Sequence, residues 1–283
     1  MKRILTSILL IVFFAGAVSA QQLTGTLQQV EKTGEIKIGY RQGLPPMSFL
    51  DKDGIPIGYS VDLCKNIVKQ IEKKLGKDIK TVWVPVTGGN RFKAISDNKI
   101  DILCGSTTKT LSRGELVDFT QLTFVTGASF MTLKGRNIKG NFTGKKIGVS
   151  KGSTTEAELR KLFKETKVDA KIVLLDSAGI GFQKLEKEKI DALAADQVVL
   201  MGFALTGKNP GNYTILPNLF SYEPLALAVR RNDSDFRLIV DMAISDMCRS
   251  NEILNIYDKW VGRFIGQRLS AFEALVKLNA IPE

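Results

Sequence analysis

The sequence predicts two α/β lobes around a cleft, and three observations predict it. A βαβαβ pattern runs through residues 36–103, and a second runs through 145–194. Two strand-like stretches, 124–133 and 222–230, lead from the first half to the second and back. Strands that alternate with helices build mostly parallel sheets with helices on their faces. Two such lobes joined by two crossing strands leave a cleft with a hinge at its back, a shape that closes around ligands.

Each element has its own signal. Residues 25–34 read as a short helix, and 36–40 alternate as a strand. Pro45, Pro46 and the turn at 51–54 lead to Gly58, Tyr59 and Ser60. Ser60 is predicted to N-cap a helix that runs to Leu75 and stops at Gly76. Residues 81–86 form a strand, 90–98 a helix and 100–103 a strand. In the second half, strands are expected at 145–149, 170–174 and 191–194, with helices at 153–163 and 179–188. A helical region at 233–265 returns to the first half. The tail, 267–283, is mildly amphipathic through Leu269, Phe272, Leu275 and Val276. It is expected to be a helix packed on the body, with a docking element as the alternative.

The chain has 283 residues and a mass of 31.2 kDa, which suits two domains of ordinary size. Its 44% hydrophobic and 24% charged residues are globular composition rather than disordered or collagen-like. Histidine is absent, which excludes Ser-His-Asp and Cys-His triads and His-ligated zinc or haem. Acid–base work would fall to carboxylates, Lys, Tyr or Cys. Three cysteines, none in a CxxC, are one short of an all-cysteine zinc site. No metal and no cofactor are expected.

Residues 1–20 read as an export signal. Lys2 and Arg3 precede an apolar run at 4–18, and Val18, Ser19 and Ala20 suit cleavage after Ala20. The run is shorter than the ~20 residues of a spanning helix. No cysteine follows the cleavage point to carry a lipid, so residues 21–283 are expected to be exported and soluble. The chain carries a formal +11, or +9 once Lys2 and Arg3 are removed. Its basic residues are interspersed with acids, as at Glu72, Lys73 and Lys74, with no long basic block interleaved with aromatics. That argues against nucleic acid and for a solvated basic surface that attracts small anions. Export permits disulfides, and three cysteines allow one pair. Cys64 reads as a buried helical residue, Cys104 ends a strand, and Cys248 lies in a late helix. Their pairing is left open.

Several short motifs point to enzymes and fail on context. Ser106–Lys109 matches SxxK, Ser96–Asn98 matches SDN and Lys32–Gly34 matches KTG, but in the reverse of the β-lactamase order. The stretch 140–146 lacks a spacer residue and the hydroxyl of a phosphate loop, and it precedes a strand. Asn141, Asn212 and Asn232 head glycosylation sequons that matter only in a host that glycosylates.

The polar clusters at strand ends carry more. Gly105, Ser106, Thr107 and Thr108 follow the strand at 100–103, with Arg113 close behind. Ser150, Ser153, Thr154 and Thr155 follow the strand at 145–149 and open a helix. Hydroxyls and amides at a helix N-terminus suit a carboxylate, which Arg113 can grip with two hydrogen bonds. Asp196 lies just past the strand at 191–194, where it can take an ammonium. Simple capping and surface ion pairing are the competing explanations. Position favours a ligand site, because ligands of open α/β sheets bind beyond the carboxyl ends of the strands.

At these residues the chain resembles the periplasmic solute-binding proteins of polar amino acid ABC transporters. The resemblance runs through Gly39–Leu63, Gly105–Thr108 with Arg113, Asp118–Thr120, Gly152–Thr155, Asp196 and Tyr257–Trp260. It implies a type II periplasmic binding protein fold: two mostly parallel sheets flanked by helices and joined by two crossing hinge strands. Residues 21–125 would form the first lobe and 126–224 the second. Residues 225–283 would return to the first and add the C-terminal helices. Membership implies that Arg113, Thr108 and Ser153 bind the α-carboxylate, while Asp196 and Ser106 hold the α-ammonium.

The chain is most similar to the glutamate/aspartate-binding subfamily, whose pattern puts Arg41 and Arg91 on the ligand's side-chain carboxylate. Two buried arginines facing one cleft need an anion, which fits an acidic ligand. Two departures stand out: Gly88 replaces a serine of that pattern, and Ala178 a histidine. The implied partners are the amino acid and a membrane permease, with the protein a periplasmic monomer. Two rivals share the fold: a periplasmic dehydratase of prephenate-like acids, which needs a carboxylic general acid in the cleft, and a ligand sensor for a receptor. Asp196 is the one candidate acid.

Overall fold

The computed structural model describes residues 23–136, 138, 140–262 and 266–282. The segment 1–20 expected to be an export signal and the last three positions of the helical region at 233–265 lie outside them. Among the described residues no helix is long and apolar enough to cross a membrane.

The first lobe opens with α1 (Gly25–Thr33) and β1 (Glu35–Tyr40). Three short strands follow: β2 (Gly43–Leu44), β3 (Ser48–Leu50) and β4 (Pro56–Ile57). Helix α2 (Tyr59–Leu75) buries Val61, Leu63, Cys64, Ile67, Val68 and Ile71, and Gly76 ends it. Ser60 is not its cap. Gly58 takes that place at φ 130°, where a Cβ would sit 2.5 Å from the Met47 carbonyl oxygen. The carbonyls of Pro46 and Met47 accept from the amides of Tyr59 and Ser60, which opening helix amides otherwise lack. The Ser60 hydroxyl is thereby free to donate to the Gly105 carbonyl at 3.1 Å.

Strands β5 (Lys80–Pro85) and β6 (Ile102–Cys104) pair parallel to β1 on either side, with α3 (Arg91–Ser96) between them in sequence. A short turn, α4 (Leu111–Gly114), leads to β7 (Asp118–Thr126). The sheet is completed by β13 (Glu223–Val229) in the order β5-β1-β6-β13-β7. A disulfide joins Cys64 of α2 to Cys104 at the end of β6, while Cys248 is a buried free thiol.

The second lobe repeats the plan. Its strands are β8 (Ala128–Leu133), β9 (Lys146–Ser150), β10 (Lys171–Leu175), β11 (Ala192–Asp196) and β12 (Tyr213–Ile215). They lie in the order β10-β9-β11-β8-β12, the first three parallel and the last two antiparallel. Helices α5 (Thr154–Glu165), α6 (Ala178–Glu186) and α7 (Gln197–Thr206) flank this sheet. Leu159 and Phe163 of α5 pack on one face, and Phe182, Leu185 and Phe203 on the other.

The outward crossing is made at Gly127, between β7 and β8. A Cβ there would overlap the Ser221 carbonyl oxygen, so the two crossing segments pass at a distance that excludes any larger residue. The return is made by residues 216–222, which hydrogen-bond along β8 through Leu216 to Phe130 and Phe220 to Ala128. Thr126 and Glu223 then pair where both segments enter the first sheet. The lobes also touch in front of the hinge, where the Pro45 carbonyl lies against Gly202 of α7.

The chain finishes on the first lobe with α8 (Ser234–Arg249), α9 (Glu252–Tyr257) and α10 (Ser270–Asn279). The tail is a packed helix. Phe272 of α10 is fully buried, stacks on Tyr257 at 4.2 Å and meets Phe124 of β7 at 5.5 Å. Asn279 donates to the Leu122 carbonyl of the same strand.

Candidate functional site

The carboxyl ends of β1, β6, β9 and β11 converge on one cavity between the lobes. Its volume is about 70 Å3. All nine residues singled out in the sequence line it: Arg41, Arg91, Ser106, Thr108 and Arg113 from the first lobe, and Ser150, Ser153, Thr154 and Asp196 from the second. Gly88 and Ala178 line it too. Among the described residues no group of His, Cys, Asp or Glu is placed to hold a metal.

The first lobe supplies the cations. Arg41 follows β1, Arg91 opens α3 and Arg113 lies in α4. Arg91 and Arg113 both stand over the Phe92 ring, their guanidinium carbons 4.4 and 5.6 Å from its centroid, which fixes their planes. Arg113 donates to the Thr108 carbonyl at 2.8 Å and Arg91 to the Gly88 carbonyl. The Nε of Arg91 is buried without a partner, and Arg91 is 6% exposed. Burial lowers Arg41 to about 10 and, with the charges of Arg113 and Arg41 beside it, lowers Arg91 to about 9. Arg113 is lowered too, by burial, against the opposing pull of Glu223 and Asp196. These guanidiniums are short of anions.

The second lobe supplies hydroxyls, amides and a carboxylate. Ser153 caps α5, its hydroxyl accepting from Glu156 at 3.0 Å and donating to Ser150 at 2.7 Å. Its hydroxyl is thus committed to capping, and the amides of Thr154 and Thr155, first in the helix, are the free donors there. Asp196 ends β11 and accepts from the Ser106 hydroxyl, across the cleft, at 2.5 Å. Burial, reinforced by Glu223, raises Asp196 to about 7, against the opposing effects of Ser106 and Arg113.

Glu223 is the residue that sequence reasoning missed. It is fully buried at the start of β13, just behind the cavity. Its Oε2 accepts from Thr108 at 2.5 Å and Thr154 at 2.6 Å, and its Oε1 from Ser221 at 2.7 Å. The available signal was a carboxylate opening a strand whose other six residues are apolar. Lys151 and Thr155 also line the cavity and were not singled out as ligand residues.

The chain matches known proteins along most of its length. The curated relatives include a glutamate/aspartate import solute-binding protein of Salmonella typhimurium, 32% identical over 92% of this chain and 88% of its own. They also include an L-glutamate/L-aspartate-binding protein of Pseudomonas aeruginosa, 32% identical over 91% of this chain and 86% of its own. Among solved structures, an ancestral arginine-binding protein bound to arginine superposes with a TM-score of 0.72 at 29% identity. That match covers 81% of this chain and 99% of the other. With residues 36–263 matching the family as a whole, the chain belongs to the bacterial extracellular solute-binding proteins, family 3.

Proposed function

We propose that the protein is exported through a cleaved signal at residues 1–20, captures an acidic L-amino acid, L-glutamate or L-aspartate, by closing its lobes, and hands it to an ABC permease. The observation that carries the ligand class is the balance of charge. Arg41, Arg91 and Arg113 face the cavity, with Asp196 and, behind it, Glu223 as the carboxylates. Lys151, which also lines the cavity, is exposed to solvent, and without it three cations against two anions leave one negative charge missing. An acidic amino acid, with two carboxylates and one ammonium, supplies it; glutamine leaves the excess, and arginine adds to it. An unpaired buried cation is costly, so the missing charge is a strong selector.

The α-carboxylate goes to Arg113 and the amides of Thr154 and Thr155, and the ammonium goes between Asp196 and Ser106. The side-chain carboxylate then lies on Arg41 and Arg91, which line the cavity beside Gly88. The first lobe binds first through its arginines, and closure brings Asp196 and the α5 N-terminus to the ligand. The two glutamate/aspartate-binding relatives support this reading. Micromolar affinity needs about 8 kcal/mol net, within reach of several charge-assisted hydrogen bonds in a closed site.

The test is titration calorimetry on residues 21–283, unfolded and refolded free of bound ligand, with L-glutamate, L-aspartate, L-glutamine and L-arginine. One-to-one binding of the acids in preference to the other two is expected, by a monomer. Tighter glutamine or arginine overturns the ligand class and leaves the fold untouched. Asp196 favours one second reading, a dehydratase, because a carboxyl held near 7 can donate a proton at neutral pH. Turnover of prephenate by the purified protein would replace the first reading with that one.

A further inference from the structure

Glu223 touches no part of the cavity, yet it joins both of its walls. Thr108 belongs to the first lobe and Thr154 to the second, and their hydroxyls stand 3.2 Å apart on the same carboxylate oxygen. Ser221, on the returning hinge segment, holds the other oxygen and accepts from the Ala128 amide on the outgoing one. One carboxylate therefore collects hydroxyls from each lobe and from the hinge. A fully buried carboxylate is stable only when its oxygens are satisfied. When the lobes part, Thr154 leaves with α5 and that satisfaction is broken.

We infer that Glu223 is the positioning carboxylate of the closed cleft, a latch completed by closure. It holds the two threonines that flank Arg113 and the α5 amides, and it sets the charge against which Asp196 receives an ammonium. This rests on the reading of the cleft as an amino acid site. The charged groups facing the pair are Arg113, which attracts both carboxylates, and Glu223 and Asp196 themselves. The negative charge of Glu223 makes Asp196 harder to ionise alone and a cation between them more welcome.

Two variants of the mature chain separate latch from charge. In Glu223→Ala the latch is gone, so L-glutamate should dissociate about tenfold faster with its association rate unchanged, because bonds made only on closure act after encounter. In Glu223→Gln one oxygen remains for both threonines but the charge is lost. The loss of affinity on acidification should then move down by about half a pH unit or more, since Asp196 ionises more easily. A purely structural role would not move that profile.

Unchanged dissociation in Glu223→Ala, or an unmoved pH profile in Glu223→Gln, overturns the proposal. If Glu223→Ala does not fold, Glu223→Gln decides alone. Wild-type protein that binds none of L-glutamate, L-aspartate and L-glutamine overturns the ligand reading instead. The latch is then read from small-angle scattering, where equal radii for wild type and Glu223→Ala overturn it.

Discussion

Ser106 and Asp196 belong to opposite lobes and meet in a 2.5 Å hydrogen bond across the cleft. The carboxylate that ends a strand of one lobe is thus oriented by a hydroxyl from the other. As closure brings Asp196 to the ligand, Ser106 aims its carboxylate at the ammonium, which limits the ordering that the closed site still costs.

Asp196 predicts opposite pH trends for stability and affinity. Its folded value, about 7, lies above the ordinary 3.8, so between these limits the folded protein holds a proton that the unfolded chain releases. The stability contributed by that proton is present at low pH and lost as pH rises through 7. Affinity for L-glutamate runs the other way, rising until Asp196 is ionised. Melting and calorimetry between pH 5 and 8 should show both slopes, and Asp196→Asn should remove both. A ligand-free protein whose affinity does not change with pH in that window would sink this role for Asp196.

Arg113→Lys should be nearly as damaging as Arg113→Ala. The guanidinium lies over Phe92 while it donates to Thr108, a geometry that leaves its other nitrogens for a forked carboxylate bond. An ammonium on a flexible stem cannot reproduce that fork, and affinity should fall about a hundredfold by calorimetry. Full affinity in either variant would remove Arg113 as the carboxylate anchor.

Gly88→Ser tests the changed end of the pocket. A Cβ there would lie 3.4 Å from Arg91 Nη1 and 3.7 Å from Arg41 Nη2, which is contact without overlap. The added hydroxyl can bond a ligand carboxylate held by both arginines, so L-aspartate should bind about threefold tighter. Weaker binding would mean that the open space at Gly88 is itself needed by the ligand.

Phe272→Ala should destabilise the protein by about 3–5 kcal/mol, the usual cost of emptying a buried phenylalanine site. The ring is fully buried among Tyr59, Phe124 and Tyr257. Denaturant unfolding measures the loss. Binding stoichiometry should be unchanged, because α10 packs behind β7 rather than at the cleft.

Local pattern made the parallel strands, their helices and the clusters at strand ends legible, because each is set within a few residues. The nine expected site residues gather for the same reason: strand ends of a parallel sheet share one edge. Glu223 was not legible, since its partners Thr108 and Thr154 are 115 and 69 residues away and meet it only through the hinge. The role of Ser60 was misread because a tertiary contact overrode a local rule. The carbonyls of Pro46 and Met47 already serve the opening amides of α2, so its hydroxyl turns to Gly105. The pairing of Cys64 with Cys104 likewise depends on how α2 lies against β6.

That disulfide ends one residue before Gly105, where the chain turns to present Ser106 and Thr108, and Ser60 of the same helix holds the Gly105 carbonyl. A covalent tether and a hydrogen bond from one helix therefore pin the root of the binding loop. Thiols remain reduced in the cytosol and pair in oxidising compartments. Under the proposed export, a newly made chain carries this loop without its covalent tether and has it pinned only on arrival in such a compartment.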